Sequence, residues 1–480
     1  MTWLGIDIGT SGVKTIVLDE TQSILASTTA PLEVARPYPG WSEQCPDDWW
    51  DAVKATLDTL SKSHPNALHS VRGIGLSGHM HGATLIGKND KVLRPCILWN
   101  DGRSSHECSV LERRADFRGL NGNIVMPGFT APKLEWVRSH EPDIFEKTFK
   151  VLLPKDFIRL KLTGEYVSDM SDSAGTAWMD VHARAWSEPL LNATGLDISH
   201  MPDLVEGTAV GGRLRPELCV RWGIPNDAII AGGGGDNAAS ACGVGAVRPN
   251  QGFLSLGTSG VLFVCNDRFA PNTDAALHAF CHATPGTWHQ MGVILAATDA
   301  LNWLSGISGQ DPAALAQLAA SASADNGVTF LPYLSGERTP HNNASARGSF
   351  SGLSQSSGLS ELAYAVLEGV AFAFADCAVA LEAAGTRPET VLAIGGGANS
   401  KTWLQIIANA TGLSLDIPAQ GDFGAAFGAA RLAICASENA TPADIMTTPE
   451  IIDRVQPDLT DRDATKKRYE HFRALYPALN

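Results

Sequence analysis

Two carboxylates in this chain stand beside glycine-rich turns. Asp7 lies in "LGIDIGTSGVK" (4–14), just before a Gly-Thr-Ser-Gly turn, and Asp236 follows the glycines of "IIAGGGGDN" (229–237). A turn of small and hydroxyl residues presents backbone N–H groups with little side-chain bulk, which suits phosphate oxygens. A carboxylate there repels phosphate unless a cation intervenes, so Asp7 is a candidate Mg²⁺ position. Asp236 stands where a strand ends and helix-compatible sequence begins, the place where α/β proteins bind ligands. It could accept a proton from a hydroxyl attacking phosphorus. The same position suits a helix N-cap, and one aspartate can do both. No G-x-x-x-x-G-K-[ST] run is present, so this is not a P-loop chain.

"SGHMHG" (77–82) sets two histidines around a methionine. In a strand, His79 and His81 would share a face and Met80 would point away. No companion set with metal-ligand spacing accompanies them, and Mg²⁺ prefers oxygen. Locally the stretch remains a metal site, a sugar site or a turn.

The elements that must carry these residues show in an internal repeat. "LGIDIGTSGVK" (4–14) matches "GFLSLGTSGVL" (252–262), and each reads as two apolar strands joined by a Gly-Thr-Ser tip. "IIAGGGGDN" (229–237) matches "VLAIGGGAN" (391–399), a strand running into a glycine turn. Two matched pairs in one order predict two halves of related fold, 1–245 and 246–480, meeting near "GVGAVRPNQG" (243–252). In this register Asp7 corresponds to Ser255 and Asp236 to Ala398. The first half then holds acceptor, base and metal, and the second the nucleotide. From Gly9 to Gly235 is 226 positions against 140 from Gly257 to Gly397, so about 86 extra residues, "SGHMHG" among them, sit in the first half.

Composition bounds the class. The chain has 480 residues, is 44% hydrophobic and carries a net charge of −15, which disfavours nucleic acid or an anionic membrane as partner. No apolar run approaches the roughly 20 residues needed to span a bilayer. The start has no secretory pattern. Nine scattered cysteines form no C-x-x-C pair and read as reduced thiols of a cytoplasmic enzyme.

The motifs carry a resemblance. "DIGTSG" (7–12) resembles the phosphate loop of the actin, Hsp70 and sugar kinase superfamily. "GGGGDNAASACG" (232–243), "LSLGTSGV" (254–261), "IGGGANSKTW" (394–403), "FTAPKLEWV" (129–137) and "GSFSGLSQSSGLSELAYAVLEG" (348–369) are similar to the FGGY carbohydrate kinases within it. "HMHGATL" (79–85), "LRPCILWNDGR" (93–103), "MPGFTAPKLEWV" (126–137), "VLLPKDFIRLKLTGE" (151–165) and "LPYLSGERTPHNN" (331–343) resemble the members that act on xylulose, with His79 where glutamine is expected. The resemblance implies an α/β fold of two ribonuclease H-like domains around a central cleft, with ATP and Mg²⁺. D-xylulose, or another ketose or polyol such as ribulose, glycerol or gluconate, would be the acceptor.

By carry-over Asp236 is the base, and Met80, His81 and Asn237 bind the sugar. Gly9, Thr10 and Ser11 face the γ-phosphate; Gly257, Thr258 and Ser259 hold the rest of the triphosphate. Gly396, Gly397, Ala398 and Asn302 border the nucleoside. Asp7 positions Mg²⁺ through water, and a homodimer is the family expectation. A chaperone-like or filament ATPase of the same superfamily would need no sugar-side base.

Smaller features stay open. "WNDGR" (99–103) braces a sugar pocket or forms a structural Asp101–Arg103 contact. Lys133 and Trp136 share one helical face, and Trp136 walls the pocket or fills the core. "SDMSDSAGT" (168–176) reads as a hydroxyl-rich turn, "SGERTPH" (335–341) as a solvated turn, and "GDFGAAFGAARLA" (421–433) as a small-residue helix packed on a sheet near the nucleotide half.

Overall fold

The computed structural model describes residues 1–419, 421 and 423–479; Asp422, within the small-residue stretch, lies outside them. The first half is built on a mixed sheet of β1 (Thr2–Ile8), β2 (Gly12–Leu18), β3 (Ile24–Pro31), β4 (Val71–Gly78), β5 (Val210–Arg213) and β6 (Ile229–Ala231), in the order β5-β6-β4-β1-β2-β3. The short strand Gly234–Gly235 continues beyond β6 along β4. The second half is built on β7 (Gly252–Leu256), β8 (Gly260–Asn266), β9 (His278–Cys281), β10 (Trp288–Ile294), β11 (Thr390–Ile394), β12 (Ser414–Pro418) and β13 (Ile451–Val455), in the order β9-β10-β8-β7-β11-β12-β13.

The helices that position the site are α1 (Pro46–Ser63), α2 (Thr130–His140), α3 (Pro154–Thr163), α4 (Met170–Ala174), α5 (Asp236–Gly243), α6 (Thr298–Ser308), α7 (Leu359–Ala383), α8 (Lys401–Thr411) and α9 (Ala425–Glu438). α1 shows how local sequence makes them. Pro46 opens it and Asp47 and Asp48 occupy its first turn, where the helix dipole favours anions. Trp49, Val53, Leu57 and Leu60 then form one buried stripe.

The two sheets share one pairing pattern. The hairpins β1–β2 and β7–β8 are antiparallel, β1–β4 and β7–β11 parallel, and β4–β6 and β11–β12 parallel. The duplication and the two-fold use of Gly-Thr-Ser-Gly therefore hold. The second matched pair does not. The glycine turn at 395–397 follows β11, whose counterpart is β4, so it corresponds to "SGHMHG". The turn at 232–235 follows β6, whose counterpart is β12, so Asp236 corresponds to the start of α9 rather than to Ala398. Strand neighbours, not glycine content, fix equivalence. The large insertion in the first half lies between Gly78 and Ile229, and "SGHMHG" opens it.

α9 departs from expectation in one respect. It packs closely on a sheet, but that sheet is the first half's, against β1, β4 and α5. A Cβ on Gly5 or Gly75 would fall 1.8 Å from the carbonyl oxygens of Ala426 and Ala429, and one on Gly428 1.7 Å from that of Ala239. Backbone meets backbone there, and only glycine permits it. Arg431 of α9 donates to the carbonyls of Cys242 and Gly243 at 3.2 and 3.0 Å, placing a cation at the C-terminus of α5.

α7 corrects the expectation that no apolar run is long enough for a bilayer. Its 25 residues pass that test by length and composition, yet 78% of its most apolar window is buried. It is the core helix of the second half, in the cluster formed with β7, β8 and α8. Its two buried acidic residues are paired inside the protein, Glu368 with Arg468 at 2.9 Å and Asp376 with Tyr469 at 2.6 Å. All nine cysteines are free.

Candidate active site

β1, β4 and the Gly234–Gly235 strand run parallel and end together. Asp7, Ser77 and Gly234 are in register across them, as are Ile8, Gly78 and Gly235. The backbones bearing Asp7 and Asp236 are thus about two strand spacings apart, roughly 10 Å. "SGHMHG" issues between them. This is the carboxyl edge of the sheet, where ligands collect in α/β folds.

Asp236 is the first residue of α5, with Gly235 as its N-cap. Its Oδ1 accepts the Asn237 N–H at 2.7 Å and the Asn237 side-chain amide at 2.9 Å. Asn237 is thereby spent in part on orienting Asp236. The aspartate is half-buried. Solvent reaches it, but its surroundings are dense enough that burial pushes its pKa up to about 6, against the lowering effect of Asn237. A base with that pKa is ionised at neutral pH and lost below it. The acid limb of kcat/KM is therefore expected near pH 6, and initial rates across pH 5–8 check it; an unbroken profile down to pH 5 would count against Asp236 as the titrating group.

Met80 is buried against Gly235, where a Cβ would come 2.8 Å from Met80 Cγ. His81 adopts φ +71°, a left-handed backbone that costs a non-glycine residue on the order of 1–3 kcal/mol. Its Nδ1 lies 2.7 Å from the Gly175 carbonyl. That contact makes Nδ1 the protonated nitrogen and leaves Nε2 as an acceptor. Burial lowers the His81 pKa to about 3, so the ring is neutral. His79 is a core residue: it is buried, packs edge-on against Trp49 at 5.4 Å, and is neutral for the same reason.

The hydroxyl-rich turn proves to be the seat of a buried ion network. Lys155 Nζ is 2.8 Å from Asp169 and 3.4 Å from Asp172 and also contacts Asp156, all at zero exposure. Three acids surround the lysine, the buried Arg159 interacts with two of them, Asp156 and Asp169, and burial raises the Asp172 pKa well above the usual range. Asp169 caps α4, and Ser171 Oγ accepts the Gly235 N–H at 3.1 Å. The network thus fixes the loop behind both Asp236 and His81. No local pattern marks this, because Lys155 and Asp169 meet only through the fold.

The two Gly-Thr-Ser tips sit, as expected, at the ends of the hairpins. Thr10 is held by Gln44 and Trp99, whose donors lie 2.8 Å from its carbonyl and 3.1 Å from its hydroxyl. In the second tip the carbonyls of Gly257 and Thr258 accept the N–H groups of Thr298 and Ala297, both at 2.9 Å, at the start of α6. The carbonyls are thus engaged, while Thr258 and Ser259 are exposed at the tip. Beside this tip lies a cavity of about 770 Å³ lined by Asn302, Gly396, Gly397, Asn399 and Trp403, in the range of small-ligand sites. Ala398 lines a separate cavity of about 430 Å³ with Gly395 and Pro418. Asn399 borders both, and the sequence reading missed it.

The remaining features resolve. Asp101 and Arg103 form a buried bidentate pair under Trp41, and Trp136 is core, stacked on His140 at 4.6 Å. "SGERTPH" is not a solvated turn: Glu337 and Thr339 are buried. Glu337 accepts the N–H groups of Leu295 at 2.9 Å and Arg338 at 2.7 Å. Arg338 lies 3.4 Å from His278, and the ring contacts His278–Phe129 and Phe129–His81 carry the second half to the edge of the Met80–His81 turn. Among the described residues, no group of three metal-ligating side chains occurs.

Comparison with known proteins agrees with this geometry. Residues 2–243 match the N-terminal domain of the FGGY family of carbohydrate kinases, and residues 252–437 its C-terminal domain. The chain is 48% identical over 481 residues to the xylulose kinase of Escherichia coli (strain K12), covering 99% of each. It is 50% identical over 434 residues to that of Klebsiella pneumoniae, covering 90% of this chain and 89% of the relative. The crystal structure of a xyloylose kinase from Brucella ovis superposes with a TM-score of 0.98 at 53% identity, over 100% of this chain and 99% of that one. The chain is a sugar kinase and belongs to the FGGY family of carbohydrate kinases.

Proposed function

We propose that the protein transfers the γ-phosphoryl group of ATP to the 5-hydroxyl of D-xylulose, with Asp236 as general base. The observation that carries it is the place of Asp236: it opens α5 directly after Gly235, which packs on Met80, and burial raises its carboxyl to about 6. The names of the relatives support the sugar.

D-xylulose lies along Met80, whose thioether gives apolar contact to the carbon skeleton, and gives a hydroxyl hydrogen to His81 Nε2. Asp236 removes the proton of the attacking hydroxyl. The oxygen–phosphorus bond forms as the bond to ADP breaks. The tips at Gly9–Ser11 and Gly257–Ser259 stabilise the transferred group through amides and hydroxyls, Thr10 and Ser11 acting in the first tip because the Gly9 N–H is held by the Gly12 carbonyl at 3.0 Å. The cavity at Asn302, Gly396 and Gly397 takes the nucleoside, and Ala398 faces the neighbouring cavity that shares Asn399 with it.

Asp7 fits an Mg²⁺ position: a half-buried carboxylate at a strand end beside a phosphate tip, where among the described residues no group of three metal-ligating side chains gathers. Mg²⁺ keeps waters and phosphate oxygens as ligands, and when bound it neutralises phosphate charge. Asp7→Asn is expected to raise the Mg²⁺ concentration for half-maximal rate by about tenfold or more. Titration of Mg²⁺ at fixed ATP checks this, and an unchanged curve removes the role.

The working units are 1–245 for sugar and 246–480 for nucleotide, although α9 ties the second to the first. A cytoplasmic homodimer with neither nucleic acid nor membrane as partner completes the proposal; the free cysteines support a reducing compartment. The test is ADP release measured with D-xylulose, D-ribulose, glycerol and gluconate. Strong stimulation by D-xylulose supports the proposal. Greater stimulation by another compound reassigns the sugar, and ATP hydrolysis indifferent to all four rejects the reaction.

A further inference from the structure

We propose that Lys133 is a positioning residue for the sugar turn, holding the His81 carbonyl and so the aim of Met80 and His81. The proposal rests on the assignment of that turn to sugar.

Lys133 projects from α2 and has zero exposure. Its Nζ donates to the His81 carbonyl at 2.9 Å and to the Gly128 carbonyl at 2.7 Å. No ion pair of Lys133 occurs among the described residues, in contrast to Lys155 with its three acids. Burying an ammonium without a carboxylate partner is costly. A methionine would fill the same space without that cost, so packing does not account for lysine here. What it does is grip main chain that is itself strained, for His81 stands at φ +71°.

The grip has two sides. From α2, Thr130 Oγ1 reaches the same His81 carbonyl at 3.1 Å. From the loop after α4, the Gly175 carbonyl holds Nδ1. One side sets the backbone and the other the ring, and together they direct Nε2 away from both. Burial lowers the Lys133 pKa to about 7. A neutral amine still has two N–H groups for two carbonyls. The grip therefore survives deprotonation.

The test is Lys133→Met, which keeps the length and apolar stem and removes the donors. The KM for D-xylulose is expected to rise about tenfold or more while the KM for ATP changes less than about twofold. The thermal midpoint should hold or rise, because an unpaired buried charge is gone. In the Lys133→Met, His81→Ala double variant the rise in sugar KM should be clearly smaller than the product of the two single effects, the remainder acting through Met80. Additive losses, an unchanged sugar KM, or equal losses for both substrates with a lower midpoint would each overturn the proposal. Should Lys133→Met fail to fold, Lys133→Gln decides. Its shorter side chain keeps two N–H groups and should retain part of the sugar affinity; failure of both to fold makes Lys133 merely structural. If the wild type prefers another compound in the ADP-release panel, the variants are scored on that compound, which separates an error in the sugar from an error in Lys133.

Discussion

Asp236→Asn is expected to lower kcat by on the order of 10²–10⁴-fold and to leave nucleotide affinity nearly unchanged. Asparagine keeps the shape and can still pair with the Asn237 amide through its carbonyl oxygen. It cannot take the hydroxyl proton. Nucleotide affinity should persist because Asn302, Gly396 and Gly397 line a cavity to which α5 contributes no residue. Stability should not fall. The raised pKa means that the folded protein favours the protonated carboxyl, so the ionised form costs stability once pH exceeds the unfolded value near 4. Asparagine removes that cost at neutral pH. Steady-state kinetics with a nucleotide titration and a thermal melt check all three points. Turnover within a few-fold of wild type would reject the base.

The second large effect concerns the join between the halves. Gly428→Val is expected to cost about 3 kcal/mol or more and to lower the thermal midpoint by on the order of 5–10 °C. The obstacle is the Ala239 carbonyl, 1.7 Å from an ideal Cβ. A side chain can rotate away from a clash, but here α9 or α5 must move as a whole. Because α5 begins at Asp236, activity should fall as well, even at temperatures where the variant stays folded. Gly306→Ala is the control. Gly306 lies inside α6 with nothing within 4 Å of its Cβ position, so alanine there should be neutral or stabilise by up to about 1 kcal/mol. Equal melting curves for Gly428→Val and wild type would show that α9 does not depend on this close approach.

How much of this was legible in the sequence depends on what each residue needs around it. The tips at Gly9–Ser11 and Gly257–Ser259 were legible because a hairpin is local and both copies keep the same five residues. The glycine turns were not placed correctly, since a turn does not say which strand lies next to it. Asp236 was named from its glycine turn and Met80 and His81 from motif resemblance, and the strand register brings their backbones to one edge. Lys133 was seen only as a member of a helical face, because its acceptors are main-chain carbonyls that no side-chain pattern reveals. Lys155 and Glu337 escaped for a related reason. A charged residue in a loop sequence reads as solvated until the fold supplies partners, as the N–H groups of Leu295 and Arg338 do for Glu337.

The central claim is that Asp236 and the Met80–His81 turn together hold the reacting hydroxyl of a sugar. A crystal structure of the Asp236→Asn protein with D-xylulose and ADP tests it most directly. The account predicts a sugar hydroxyl within about 3.2 Å of the residue-236 side chain, with another on His81 Nε2 and the carbon skeleton against Met80. A sugar bound at the same concentration but touching none of these three side chains would contradict it.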